Sequence, residues 1–370
     1  MIRVLNFFRS LDWLMIAAIA VLLAMGLAAI YSTADARPAS RLNFEKQLFF
    51  SLTGIAVLFL FAALDYRLFR RERIAVLLPY VLGLVLLAGL FLSNTFIRGA
   101  RSWFSLGPIA LQPVEFVKIA TLLMLAKYFA LRHVEIHQFR HVIVSGLYVG
   151  IPAALVLVQP DAGSVIILFL LWLGMLLVAG VRKYHFLLIL LLFVAVGAGL
   201  WQFGLRDYQR ERVLTFLDPA RDPLGRGYHA EQSKIAVGSG QLLGKGFGQG
   251  SQSRLNFLPE QTTDFIFATI AEEWGFFGVV LLFLALLALF WRMGKVGESC
   301  PNNFGRFFAS GMLLLIGLEA AVHIAMNIGF FPITGLPLPF VSYGGSSLLA
   351  TIIGFGILES IRLRSRAFSV

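Results

Sequence analysis

The segment Leu258-Pro259-Glu260-Gln261-Thr262-Thr263-Asp264 runs straight into an apolar stretch, with Glu272 and Glu273 about two helical turns further on. A carboxylate carried into a bilayer costs roughly 2.5–3.5 kcal/mol on insertion scales. Asp264 stands at the foot of a polar stretch of about sixty residues, 205–263. An acid kept there can take a proton from a substrate at the membrane mouth. Glu272, eight residues on, can share its helical face but lies deeper, so Asp264 is the candidate base.

Other residue groups add charge and polarity to the same end of the molecule. Glu115 and Lys118 follow Pro113, three apart and on one helical face. They read either as a buried structural ion pair or, with Arg98, Arg101 and Trp103 just upstream, as a site for an anionic sugar-bearing lipid head group. Asp161 lies in a Gln-Pro-Asp-Ala-Gly turn, where an aspartate also stabilises the turn itself. In the long polar stretch, Arg210 precedes six glycines between Gly238 and Gly250, with Lys245 among them. The spacing is not that of a P-loop. Such a loop could wrap a diphosphate through backbone N–H groups, or act as a flexible lid. Glu319, His323 and Asn327, each four apart, make one polar stripe, open to interhelical hydrogen bonding as well as to ligand. The Pro/Gly-rich exit that follows carries Ser342, Tyr343 and Gly344, irregular backbone of the kind that lines a cavity. His133, His137 and His141 recur every four residues, but His133-Val-Glu-Ile-His137 is not the zincin motif.

These groups need a membrane scaffold. The 370 residues are 58% hydrophobic and 14% charged, against about a quarter charged in soluble domains. The expected fold is an all-α polytopic membrane protein, one domain over 1–370 with the large loop 205–263 inside it. Ten spans are expected, near 12–32, 48–64, 74–92, 113–131, 142–158, 163–180, 184–204, 264–291, 307–328 and 343–361. The first is read as an uncleaved span, because its apolar run outlasts a signal-peptide core. The net charge of +11 is spread between apolar runs, which argues against nucleic acid. The single cysteine, Cys300, excludes an internal disulfide. With the N-terminus inside, inner segments hold seventeen basic residues and the short outer loops five. Both termini are therefore expected in the cytoplasm, with 93–112, the Pro160 hairpin, 205–263 and 329–342 outside.

The strings GARSWFSLG with QPVEFVKIA, QPDAGS, DYQRERV with DPLGRGYHAEQSKIAVGSG, LPEQTTDFIFATIAEEWGFFG and GLPLPFVSYGGSS, in this order, resemble the SEDS family (shape, elongation, division and sporulation). The resemblance runs from about residue 12 to 362 and is closer to the elongation members than to the division members. It implies a bacterial inner-membrane glycosyltransferase that polymerises lipid II on the periplasmic face. Implied partners are a class B penicillin-binding protein as transpeptidase, other elongation-complex membrane proteins, lipid II and undecaprenyl-diphosphate-linked glycan. The resemblance puts the family's essential loop aspartate on Asp264, its Trp on Trp103, its Glu/Lys pair on Glu115 and Lys118, its hairpin Asp on Asp161, and its final motif on Ser342 to Gly345. Val114 stands where the family usually has Ser.

The implied reaction joins the 4-hydroxyl of one lipid II to MurNAc C1 of a strand on undecaprenyl diphosphate. An α-diphosphate giving a β-1,4 link requires inversion, hence a base and charge for the leaving group. Asp264 would be the base; Lys118, Arg101 or Arg210 would face the diphosphate. Oxygen ligands from Asp264, Glu115 or Asp161 would suit Mg²⁺ or Mn²⁺, with the acid that binds metal and the acid that takes the proton left open between them. The alternatives are a lipid II flippase and a non-catalytic scaffold for a transpeptidase.

Overall fold

The computed structural model describes residues 7–33, 38–92, 102–107, 109–132, 135, 138–204, 207–223, 225–255, 257–258 and 260–365. The apolar runs form helices because a bilayer leaves no other partner for backbone N–H and C=O groups. In chain order they are α1 (Trp13–Ser32), α2 (Pro38–Ala63), the short α3 (Arg67–Arg71) and α4 (Ile74–Gly89). A β-hairpin follows, β1 (Phe104–Leu106) and β2 (Ile109–Leu111), antiparallel with Ser105 opposite Ala110. Then come α5 (Pro113–Arg132), α6 (Phe139–Val158), α7 (Ala162–Ala179) and α8 (Lys183–Gly199).

The large loop is itself helical in part: α9 (Asp207–Leu217), α10 (Arg226–Ser239) and α11 (Ser251–Arg254). The chain ends with α12 (Ile266–Ser299), α13 (Asn303–Asn327) and α14 (Gly345–Ser365).

Among the described residues, eight helices are long and apolar enough to cross a membrane: α1, α2, α4, α6, α7, α12, α13 and α14. The other two expected spans are helical but differ. α5 has 20 residues and carries Glu115, Lys118, Lys127 and Arg132, whereas α8 is apolar but only 17 residues long. The all-α expectation holds apart from the small β-hairpin, which turns at Gly107 (φ +69°). The pattern there is too short for a period-2 signal to register.

α5 is the central helix, buried on nearly all sides despite its charges. Small residues let its neighbours close on it, as is usual in membrane bundles. A Cβ at Gly83 of α4 would lie 2.6 Å from Val117 Cγ2, and one at Gly311 of α13 would lie 2.1 Å from Leu122 Cδ1. On the face away from Asp264, Asp12 caps α1 and binds Arg292 of α12 at 2.7 Å, while Glu359 accepts from the Asp12 N–H (2.8 Å) and pairs with Arg362. This cluster ties α1, α12 and α14 together.

Candidate active site

Asp264 sits one residue before the end of the turn that leads into α12, and is part-exposed. Backbone contacts fix it. Its N–H donates to the Glu260 carbonyl (3.0 Å), and its own carbonyl accepts from the Asn327 amide (2.9 Å). Asn327 is fully buried and fully used: it also donates to the His323 carbonyl (2.8 Å) and accepts from the Ala268 N–H (3.2 Å). Its role is to hold the start of α12, not to reach ligand. The Thr262 and Thr263 carbonyls next door are gripped by the last motif. Tyr343 N–H donates to Thr262 (2.8 Å) and Ser342 Oγ to Thr263 (2.8 Å). Gln47 of α2 closes the clasp, taking the Gly344 N–H (3.2 Å) and donating to the Ser342 carbonyl (3.3 Å). Ser342 by its hydroxyl and Tyr343 by its N–H thus hold backbone carbonyls of Asp264's segment, while Gly344 is tied to Gln47.

Gly335 (φ +77°) passes beside the carboxylate: a Cβ there would be 3.8 Å from Asp264 Oδ2. His323 holds this irregular segment by its Nδ1 contact to the Leu336 carbonyl (2.8 Å). Gly163 packs against Thr334 and Leu336 of the same segment, which brings up the Asp161 turn. Asp161 caps α7, accepting from Ser164 N–H (3.0 Å) and Ser164 Oγ (2.7 Å). Ser102 donates to the Gln159 carbonyl (3.1 Å), so Trp103 is anchored beside that turn. The irregular segment 334–336 therefore links Asp264 with the Asp161 and Trp103 region.

The Glu115–Lys118 pair proves to be a triad. Lys118 Nζ meets Glu115 at 3.0 Å and also bonds Glu319 of α13, all three side chains at most 4% exposed. The polar stripe on α13 thus divides: Glu319 answers Lys118, His323 and Asn327 hold backbone. Glu115 is spent on Lys118, and the described residues contain no group of three or more His, Cys, Asp or Glu that could hold a metal ion. The Asp264–Glu115 metal pair does not fit; what remains for a divalent ion is the Asp264 carboxylate together with oxygens brought by the substrate.

Lys245 does not face a diphosphate. The glycine loop docks on α12 where that helix breaks at Gly275 (φ 62°, ψ −157°). Lys245 N–H donates to the Glu272 carbonyl (2.9 Å) and Gly246 N–H to Glu273 (3.1 Å). A Cβ at Gly240 would stand 1.8 Å from the Ala271 carbonyl oxygen, so the glycines permit close backbone approach. The Glu272 carboxylate accepts from Lys245 Nζ (2.8 Å), Ser251 Oγ (3.2 Å), Ser253 Oγ (3.2 Å), and the Gln252 (2.9 Å) and Ser253 (3.2 Å) N–H groups. It anchors the loop and has no lone pair to spare for a substrate proton. Glu272→Ala should leave Lys245 unpaired and free residues 240–255. Limited proteolysis should cut there at least tenfold faster, with activity falling in parallel; an unchanged digest would remove the anchoring role.

Arg210 donates to the Gln202 carbonyl (3.0 Å) at the start of the loop. Arg101 lies outside the described residues, as do Arg98, His133 and His137. His141 pairs instead with Tyr128 (2.8 Å) and Glu135 (3.2 Å). Residues missed from sequence are Gln47 and Glu319's link to Lys118. A lone amide at the head of an apolar run was the available signal for Gln47.

The sequence profile of the FtsW, RodA and SpoVE group, described as a cell cycle protein, matches residues 12–367. The chain is 40% identical to peptidoglycan glycosyltransferase MrdB of Escherichia coli K12 over 290 residues, 78% of each chain. It is 35% identical to stage V sporulation protein E of Bacillus subtilis over 96% of this chain and 98% of that one. Among solved structures, a chain of a peptidoglycan synthase complex that coordinates polymerization and crosslinking superposes with TM-score 0.80 at 31% identity, covering 96% of this chain and 98% of that one. Rod shape determining protein RodA of Thermus thermophilus gives 0.69 at 27%, covering 95% and 96%.

Proposed function

The chain belongs to the FtsW, RodA and SpoVE family of peptidoglycan glycosyltransferases, and from that premise we propose that it polymerises lipid II at Asp264. The enzyme is an elongation-type, multi-pass membrane glycosyltransferase. The single observation that carries the site is the way three separate segments converge on Asp264: α13 through Asn327, the last motif through Ser342 and Tyr343, and the irregular segment at Gly335. Asn327, Ser342 and Tyr343 hold backbone of the Asp264 turn, and Gly335 passes beside the part-exposed Asp264 itself.

In this reading the Asp264 carboxylate takes the proton from the 4-hydroxyl of the acceptor lipid II. The oxygen attacks C1 of the MurNAc that ends the growing strand, the C1–O bond to undecaprenyl diphosphate breaks, and configuration inverts. Diphosphate bears the departing charge. Asp264 would be the protein ligand for Mg²⁺ or Mn²⁺, which when bound would supply positive charge for the leaving group. The site faces the periplasm of the inner membrane, on the positive-inside count, and a class B penicillin-binding protein crosslinks the product.

The flippase alternative requires a polar path through the depth. Beneath the Lys118 triad, α5 and α13 meet through Leu122 against Gly311 and through Phe129 and Phe307, whose ring centroids are 5.9 Å apart. That apolar layer supports chemistry at the mouth over passage through the bundle. The test is lipid II in detergent with the purified protein and its transpeptidase partner. Glycan strands should form with Mg²⁺ or Mn²⁺ and fall at least tenfold with a chelator. A transporter would give no polymer there, and chelator-resistant polymerisation would remove the ion.

A further inference from the structure

At the face opposite Asp264, the ends of α3, α5 and α13 line an open cavity of about 400 Å³. Its charged lining is Arg70 and Lys127, and its apolar lining includes Leu131 and Phe304. Lys127 is only 8% exposed, and its ammonium donates to the Phe69 (2.9 Å) and Glu72 (2.5 Å) carbonyls. An ammonium has three donors. Two are thus directed at the end of α3, and the cavity is where the third can go. Around the rim, residues 65–73 hold Arg67, Arg70, Arg71 and Arg73 against Asp65 and Glu72, an excess of two positive charges. Asp65 is already matched by Arg364 at 3.3 Å. Leu131 and Leu68 stand 67% and 52% exposed beside this basic rim. Cations over an exposed apolar wall, at the level where helices leave the bilayer, match an amphiphile with a negative head. Basic pockets between spanning helices on the cytoplasmic side take anionic lipid head groups.

We propose that this cavity binds the phosphate of an anionic phospholipid of the inner leaflet, with Arg70 and Lys127 as its charged contacts and the acyl chains along Leu131. The lipid joins α3, α5 and α13 at the ends remote from the Lys118–Glu319 bridge, so it steadies the same helix pair that the bridge holds near the site. The inference rests on the membrane reading and is independent of glycosyl transfer, because it is read out as binding.

The test uses the full chain in a neutral detergent and follows its thermal midpoint with dioctanoyl phosphatidylglycerol, dioctanoyl phosphatidylcholine or inorganic phosphate. Phosphatidylglycerol should raise the midpoint saturably, and the other two should not. Each surface cation contributes about 1 kcal/mol to anionic-lipid attraction, so Arg70→Gln should weaken the apparent affinity roughly fivefold. Lys295→Gln, at an exposed cation near the same end of α12 paired with Glu298, should leave it unchanged. Ala130→Phe, which fills the cavity without touching an ion pair, should abolish the shift and serves should Arg70→Gln not fold. An equal shift from phosphatidylcholine, an equal shift from phosphate, an equal loss in Lys295→Gln, or a full shift retained in Ala130→Phe would each overturn the proposal.

Discussion

Asp264→Asn is expected to reduce glycan polymerisation by roughly 10²–10⁴-fold, the usual contribution of a positioned base, while leaving the fold intact. The second half of that expectation comes from geometry. Asp264 is placed by its backbone, between the Glu260 carbonyl and the Asn327 amide, and these contacts are indifferent to the side chain. Asparagine has the same shape and carries no base. The thermal midpoint and the association with the transpeptidase should therefore match the parent protein. The measurement is strand length and rate from purified lipid II with the partner-bound complex. Near-normal polymer from the pure variant would take the chemistry away from Asp264, and with it the enzyme reading of this mouth.

The Lys118 triad should show the largest structural effect. Removing one member of a buried ion pair typically costs about 3–5 kcal/mol, because a charge is left without a partner. Lys118→Met leaves two, Glu115 and Glu319, so the variant should be strongly destabilised and inactive. Changing all three to uncharged residues (Lys118→Met with Glu115→Gln and Glu319→Gln) removes the stranded charges and should restore the thermal midpoint to near the parent value. Polymerisation should stay below a tenth, because an arriving diphosphate can compete with the two carboxylates for the ammonium and the triple variant has none to offer. A triple variant that is both stable and active would reduce Lys118 to a strut between α5 and α13. The Glu115–Lys118 double variant is not an adequate substitute, since Glu319 would remain buried and unmatched.

Most of the expected helices were legible in sequence to within a few residues, although the one expected at 48–64 starts at Pro38 and eight, not ten, are long and apolar enough to span among the described residues. The expected 163–180 and 113–131 became Ala162–Ala179 and Pro113–Arg132. The expected 264–291 was less accurate, because α12 runs on to Ser299, past the apolar stretch, and breaks at Gly275. That break is a tertiary feature. Its glycine adopts its backbone geometry where Gly240 and Gly244 close on it from the large loop. The same docking explains why Lys245, plausible as a diphosphate ligand from its glycine-rich setting, is occupied with Glu272.

Composition and hydropathy by themselves determined that this chain is a helical membrane protein and where most of its helices run. In a bilayer each segment must satisfy its own backbone, so burial there is a local property that a window of residues reports. Asp264 was also visible locally, as an acid at the entry to a span. Only the tertiary structure decided who answers whom. Lys118 bonds Glu319, 201 positions away, and Gln47 holds the Ser342–Gly344 segment from nearly 300 away. Such pairings depend on which helices pack side by side, and no spacing along the chain encodes that distance.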